Sequence, residues 1–296
     1  MRKFMIGCGV LVALVLLIGL VSSWLLVRSL KHQLPVDSLE KQRKELVQLY
    51  GGIDDYVPPL DGRLRAERLE SYLRVRENLP DDGTAFLHAL EHIADQERRL
   101  DEAKGLEKLK IGLKMAKGGM GVARVAASFL AARDSLLLVE EMGPGEYLFL
   151  TTVTAICDLQ WNPPRCRQAQ PDSLEMVKLS EARSELRKGF IHQLENARRA
   201  LRALDELDVA QQEWLAALDD ALDHGPIGDD RIPFEDGLPQ AMRASIEPWR
   251  ARIEATLPTC QEAWFLELMV LTDRNEHGFQ FQYGGRKKTQ PVIEVQ

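Results

Sequence analysis

The longest uninterrupted hydrophobic pattern in the chain runs from Phe4 to Val27, where no side chain is charged and Leu, Val, Ile and Gly dominate. At about 1.5 Å rise per residue, such a helix crosses a hydrocarbon core of about 30 Å with some tilt. Arg2 and Lys3 precede the run, Arg28 and Lys31 follow it, and Trp24 sits where an aromatic ring suits the headgroup region. A cleaved leader ending at Ser23 is the competing reading. The apolar run continues through Trp24–Val27, past that cut, which favours a retained signal anchor.

Beyond the span, apolar positions recur with helical rather than strand spacing. Asp37, with Glu40 three residues on, predicts the start of a helix that Gly51-Gly52 ends. Pro58-Pro59 makes an extended connector, and Asp61 is expected to open a second helix with Leu64, Leu69, Tyr72, Leu73 and Leu79. Thr84 begins a third, carrying Phe86, Leu90, Ile93 and Leu100. A strongly apolar core helix is expected over 122–142, preceded by a junction at Gly118-Gly119-Met120-Gly121. Gly105, Gly112 and Gly119 recur seven apart, a spacing that lets another backbone approach one side of a helix.

Gly143-Pro144 restarts the chain as a helix, although the β-branched, uncharged segment 147–157 also fits a buried strand. Leu186, Phe190, Leu194, Ala197, Leu201 and Leu204 follow a 3.5–3.6-residue period in a long tract reaching about His224, as a helical hairpin or bundle requires. One helix over 240–256 and another from Thr259 complete the body. Phe279, Phe281 and Tyr283 then alternate ahead of Arg286, Lys287 and Lys288, as in a short strand or a docking tail.

The expected architecture is therefore mainly α: an N-terminal transmembrane helix, a helical-bundle-like soluble domain and a short C-terminal β segment. Its parts are a tail (1–3), the anchor (4–27), a juxtamembrane helix with its proline-rich connector (28–60), the soluble domain (61–278) and the aromatic/basic tail (279–296).

The chain carries 38 basic and 45 acidic residues, a net charge of −7. That sign argues against nucleic-acid binding, which needs a basic surface to displace counterions. The basic residues after the span, counted literally, favour a cytoplasmic domain. The short basic start favours an uncleaved signal sequence with the domain outside the cytoplasm, and this orientation is preferred. Lys104, Lys108, Lys110, Lys114 and Lys117 invite comparison with a membrane-surface helix, but they project to no single face and read as a solvated helix.

Candidate chemistry is sparse. His88-Ala89-Leu90-Glu91-His92 fits the H-x-x-E-H pattern of inverzincin metallopeptidases, with His88 and His92 as zinc ligands and Glu91 as base. It covers five residues, falls on the polar face of its helix and lacks a third ligand, so a solvated histidine pair is the preferred reading. Arg76 projects into an apolar stripe and needs a carboxylate; Glu146, or Glu141, is the expected partner in a buried ion pair. Cys157 and Cys166 flank a proline turn that a disulfide would clip in an oxidising space; reduced, buried thiols acting as small apolar groups are the preferred reading. No cofactor is called for.

The leading expectation is a non-enzymatic, membrane-anchored helical module of the cell envelope. It would bind protein partners or itself, with Phe279, Phe281, Tyr283, Arg286, Lys287 and Lys288 as docking residues. A membrane-anchored zinc hydrolase using the H-x-x-E-H segment is the alternative. A third reading is a lipid or small-molecule pocket centred on Arg76 and residues 147–157.

Overall fold

The computed structural model describes residues 36–80, 103–161, 175–223 and 231–258, together with residues 85, 88, 95–96 and 99–100. These residues are mainly helical and contain no strand. No helix among them is long and apolar enough to cross a membrane. The span at 4–27, the start at Thr259 and the tail at 279–296 lie outside the described residues.

Helix α1 (Val36–Tyr50) ends as the sequence predicts: Gly51 takes a positive φ of 79° and its amide returns to the Val47 carbonyl. A 3-10 turn (Ile53–Asp55) and the Pro58-Pro59 connector follow. Helix α2 (Ala66–Asn78) begins five residues later than Asp61. The reason is local: Asp61 accepts a hydrogen bond from the Arg63 amide, and Gly62 turns with a φ of 66° against the Trp214 ring.

Helix α3 (Leu106–Val139) is a single 34-residue helix. The glycine cluster at 118–121 does not interrupt it, contrary to the expected junction. Nor do Gly105 and Gly112 receive another backbone, since a Cβ built on either meets nothing within 4 Å. Ile111, Val122, Ala126, Phe129, Leu130 and Leu137 are buried along the helix. Burying each large apolar side chain contributes about 1.5–3 kcal/mol, which outweighs a helix-propensity cost of about 1 kcal/mol per glycine.

Helices α1 and α3 run parallel. Leu39 packs with Ala127 and Leu130, Gln42 donates to Ser135 Oγ at 2.8 Å, and Tyr50 lies against Gly143. Proline at the first position then starts α4 (Pro144–Thr151), which continues as a π-helical turn (Thr152–Asp158). The uncharged segment is thus helical throughout, and Thr151–Cys157 is fully buried.

The long tract forms a helical hairpin, α5 (Glu175–Arg202) and α6 (Val209–Asp223). The hairpin turn is closed reciprocally: the Gln211 amide donates to Asp208 Oδ1 and the Asp208 amide to Gln211 Oε1. Leu186, Phe190, Leu194, Ala197 and Leu201 are core residues, whereas Leu204 lies past the end of α5 and is exposed. The last described segment is α7 (Gln240–Ile246), a 3-10 turn (Glu247–Trp249) and α8 (Arg250–Thr256). Pro248, which lacks an amide donor, divides what periodicity reads as one helix. Tyr72, Tyr147, Phe149 and Phe190 are the largest fully buried side chains. Ring contacts at 5.6 Å link Tyr72 to Tyr147, and Phe149 to both Tyr56 and Phe190.

Candidate functional site

Arg76 sits on the buried face of α2 with Leu69, Tyr72 and Leu73 and is 6% exposed. Its Nη2 donates to the Thr256 carbonyl at 2.7 Å, and its Nη1 reaches the Tyr147 hydroxyl at 3.4 Å. Thr256 is the last residue of α8, where carbonyls lack intrahelical donors and the helix dipole is negative. A guanidinium there satisfies an orphan acceptor and complements that dipole. Beside it, the Tyr72 hydroxyl meets Thr154 Oγ1 at 3.3 Å, and Thr154 donates to the Leu150 carbonyl. A line of polar groups therefore runs through the core where α2, α4, the π-helical turn and α8 converge.

Both Glu146 oxygens are taken by Arg68 rather than by Arg76, with Nε at 2.7 Å and Nη2 at 2.6 Å. Arg68 Nη2 also donates to the Glu141 carbonyl at 3.1 Å. Glu146 stands in the first turn of α4, level with the start of α2. Arg76 is eight residues further along, about 12 Å away along the helix axis. The forked contact holds the Arg68 guanidinium in its charged form. Arg74 pairs in the same way with Glu140, and Arg252 with Glu77, so each of those carboxyls titrates below the usual carboxylate range.

The π-helical turn carries the most polar part of the core. Thr152 Oγ1 donates back to the Leu148 carbonyl at 2.9 Å, while Thr151 Oγ1 is buried without a hydrogen-bond partner among the described residues. Asp158, its side chain only 2% exposed, is paired with Arg250 at 3.0 Å. Burial pushes the Asp158 carboxyl up, and the Arg250 charge opposes that shift only in part. Cys157 is a buried free thiol whose Sγ contacts the Pro233 carbonyl at 3.4 Å. Burial raises its pKa, which disfavours the reactive thiolate. Cys166 lies outside the described residues.

The turn at 51–57 is clamped from α5. Gln193 Nε2 donates to the carbonyls of Ile53 and Gly145, both at 2.9 Å, and Asn196 Nδ2 donates to those of Asp54 and Tyr56. The sequence reading missed this clamp. Its one local signal is a pair of amides three residues apart beside the Phe190–Leu194–Ala197 stripe. Val47, Leu49, Tyr50 and Val57, within a few residues of the clamped turn in the chain, are large apolar side chains that stay exposed, as does Val139, the last residue of α3. Leu204 is exposed just past the end of α5, and exposed Val209 opens α6.

His88 is helical and exposed, while Glu91 and His92 lie outside the described residues, as do Phe279, Phe281, Tyr283, Arg286, Lys287 and Lys288. Among the described residues, no three His, Cys, Asp or Glu side chains are grouped to hold a metal ion. No family model, curated protein or solved structure matches the chain.

Proposed function

We propose that this chain is a membrane-tethered helical interaction module. In this reading, residues 4–27 anchor it, its helical body lies outside the cytoplasm, and it binds another envelope protein or a second copy of itself. The observation that carries the reading is the set of apolar side chains left exposed near the 51–57 turn in the chain, among them Leu49 at 60% exposure, together with Val139 at 74%. Isolated exposed apolar residues are ordinary, whereas several close together in the chain are what a partner surface uses. Arg68, Arg74 and Arg252 are already engaged by carboxylates of the fold, and Arg76 caps α8. Polar groups held this way support a scaffold role.

Cross-linking mass spectrometry on the full chain in native membranes tests the proposal. Cross-links from residues around the 51–57 turn to another protein, or to a second copy, are expected. The triple variant Val47→Ser/Leu49→Gln/Val139→Ser should lose them while keeping the same helical content. If the variant keeps every cross-link, this surface is not the docking site.

The π-helical turn favours a second reading, a buried ligand site between α2 and residues 147–157, because such turns occur often at functional sites. Mass spectrometry of organic extracts from the purified chain tests it. A stoichiometric lipid or metabolite that Thr151→Val removes would support this reading over the first.

A further inference from the structure

We propose that Trp214 forms one wall of a seat for a small aromatic molecule carrying a hydrogen-bond acceptor, and that Phe234 fills this seat as a displaceable plug. The seat is separate from the docking surface proposed above and stands or falls without it.

The plug is held at a conformational cost. Residues 231–238 make a turn in which the Glu235 amide donates to the Ile232 carbonyl at 3.0 Å, and the Gly237 amide to the Phe234 carbonyl at 3.0 Å. Pro233 suits the second position of that turn, and Phe234, at the third, takes a φ of 64°. Glycine is the ordinary residue there, because a Cβ crowds the following carbonyl and disfavours the left-handed conformation about tenfold. The rest of the turn is fixed: Ile232 and Leu238 are buried, and Glu235 Oε2 accepts from the Ile232 amide at 3.1 Å. What the phenyl ring gains is a stack on Trp214, with centroids 5.7 Å apart and planes at 28°.

That ring satisfies only half of the seat. Trp214 is 3% exposed, and its Nε1 is buried without a hydrogen-bond partner among the described residues. A buried donor in that state has lost the acceptor that water supplies outside. Gly62 lies so close to the indole that a Cβ there would stand 3.1 Å from Cδ2, so the ring is not free to swing its N–H toward solvent. Phenylalanine has the π-face for the stack and no acceptor for the N–H. A single ring bearing a carbonyl oxygen offers both. Its entry also releases Phe234 from a backbone conformation that the stack sustains. The space vacated is that of one phenyl group, which sets the size of the ligand.

The test uses the full chain, isotope-labelled on its tryptophan indole nitrogens, with the Trp214 signal assigned by its loss in Trp214→Phe. Acetophenone is the probe, and toluene, the Phe234 side chain as a free molecule, is the acceptor-free control. Acetophenone is expected to bind the parent chain saturably and to move the Trp214 indole proton downfield, as a new hydrogen bond does. Phe234→Gly and Phe234→Asn place residues that take a positive φ readily. Both should bind acetophenone about tenfold tighter or more, because the plug no longer competes. No saturable shift at Trp214 in the parent chain overturns the proposal. Toluene binding as tightly as acetophenone also overturns it, since that is the filling of an apolar gap alone. Equal affinity in the parent and both variants shows that Phe234 is not a plug and overturns it as well.

Discussion

The side-chain amide of Gln193 donates to the carbonyl of Gly145 at 2.9 Å, and from the same nitrogen to that of Ile53. One fully buried amide on α5 thereby joins the start of α4 to the turn that follows α1. Gln193→Leu keeps the approximate volume and leaves two carbonyls without this donor. A loss of about 1–3 kcal/mol in urea unfolding is expected, with the larger value if water cannot enter. An unchanged midpoint would show that the clamp contributes nothing to stability.

Two glycines should respond in opposite directions. A Cβ on Gly145 would lie 2.6 Å from Tyr56 Cβ and 2.8 Å from the Ile53 carbonyl oxygen. Gly145→Ala must push the 51–57 turn away and should cost about 1–3 kcal/mol. Gly112 sits inside α3 with open space where its Cβ would be. Gly112→Ala should therefore stabilise by about 0.5–1 kcal/mol. Thermal melts of the two variants side by side check both signs.

A double-mutant cycle distinguishes the two candidate partners of Glu146. The Arg68–Glu146 pair is partly buried and forked, so a coupling of about 1 kcal/mol is expected. The Arg76–Glu146 cycle should give a coupling near zero. Arg76→Met alone should destabilise through α8, whose last carbonyl it leaves without this donor, and faster proteolysis after Thr256 would report it.

The acid limb of stability combines two opposing contributions. Glu140 and Glu77 have native pKa values below the ordinary 4.5, because Arg74 and Arg252 hydrogen-bond them. Their contribution is complete above that ordinary value and is lost as pH falls through the depressed native values. Asp158 has a native pKa above the ordinary 3.8, because burial penalises its charge. The stability it withholds at neutral pH is regained as pH falls through its raised native value. Urea midpoints should fall below about pH 5 in the parent chain. Glu140→Gln should flatten that fall and Asp158→Asn should steepen it; the reverse order would contradict the assignments.

Much of the helical body is legible from local chemistry. Gly51 ends α1 because a glycine takes a left-handed conformation without a Cβ penalty, and Pro144 starts α4 because its missing amide has no role there. The stripe from Leu186 to Leu201 identifies the buried face of α5, since side chains 3.6 residues apart share one side. These features depend on residues within about one or two turns of one another, so the sequence by itself determined them.

Other features depend on how far apart two elements sit. Arg68 and Arg76 are chemically equivalent candidates for Glu146, and only the axial offset of α2 against α4 selects the first. The glycines at 118–121 read as a break, yet α3 runs through them because neighbouring elements cover its apolar face. Periodicity cannot reveal that Gly145 accommodates Tyr56, or that Gln193 bridges two segments far from it in the chain. Those outcomes were decided by the tertiary structure alone, because packing and hydrogen bonding act between residues that sequence distance does not relate.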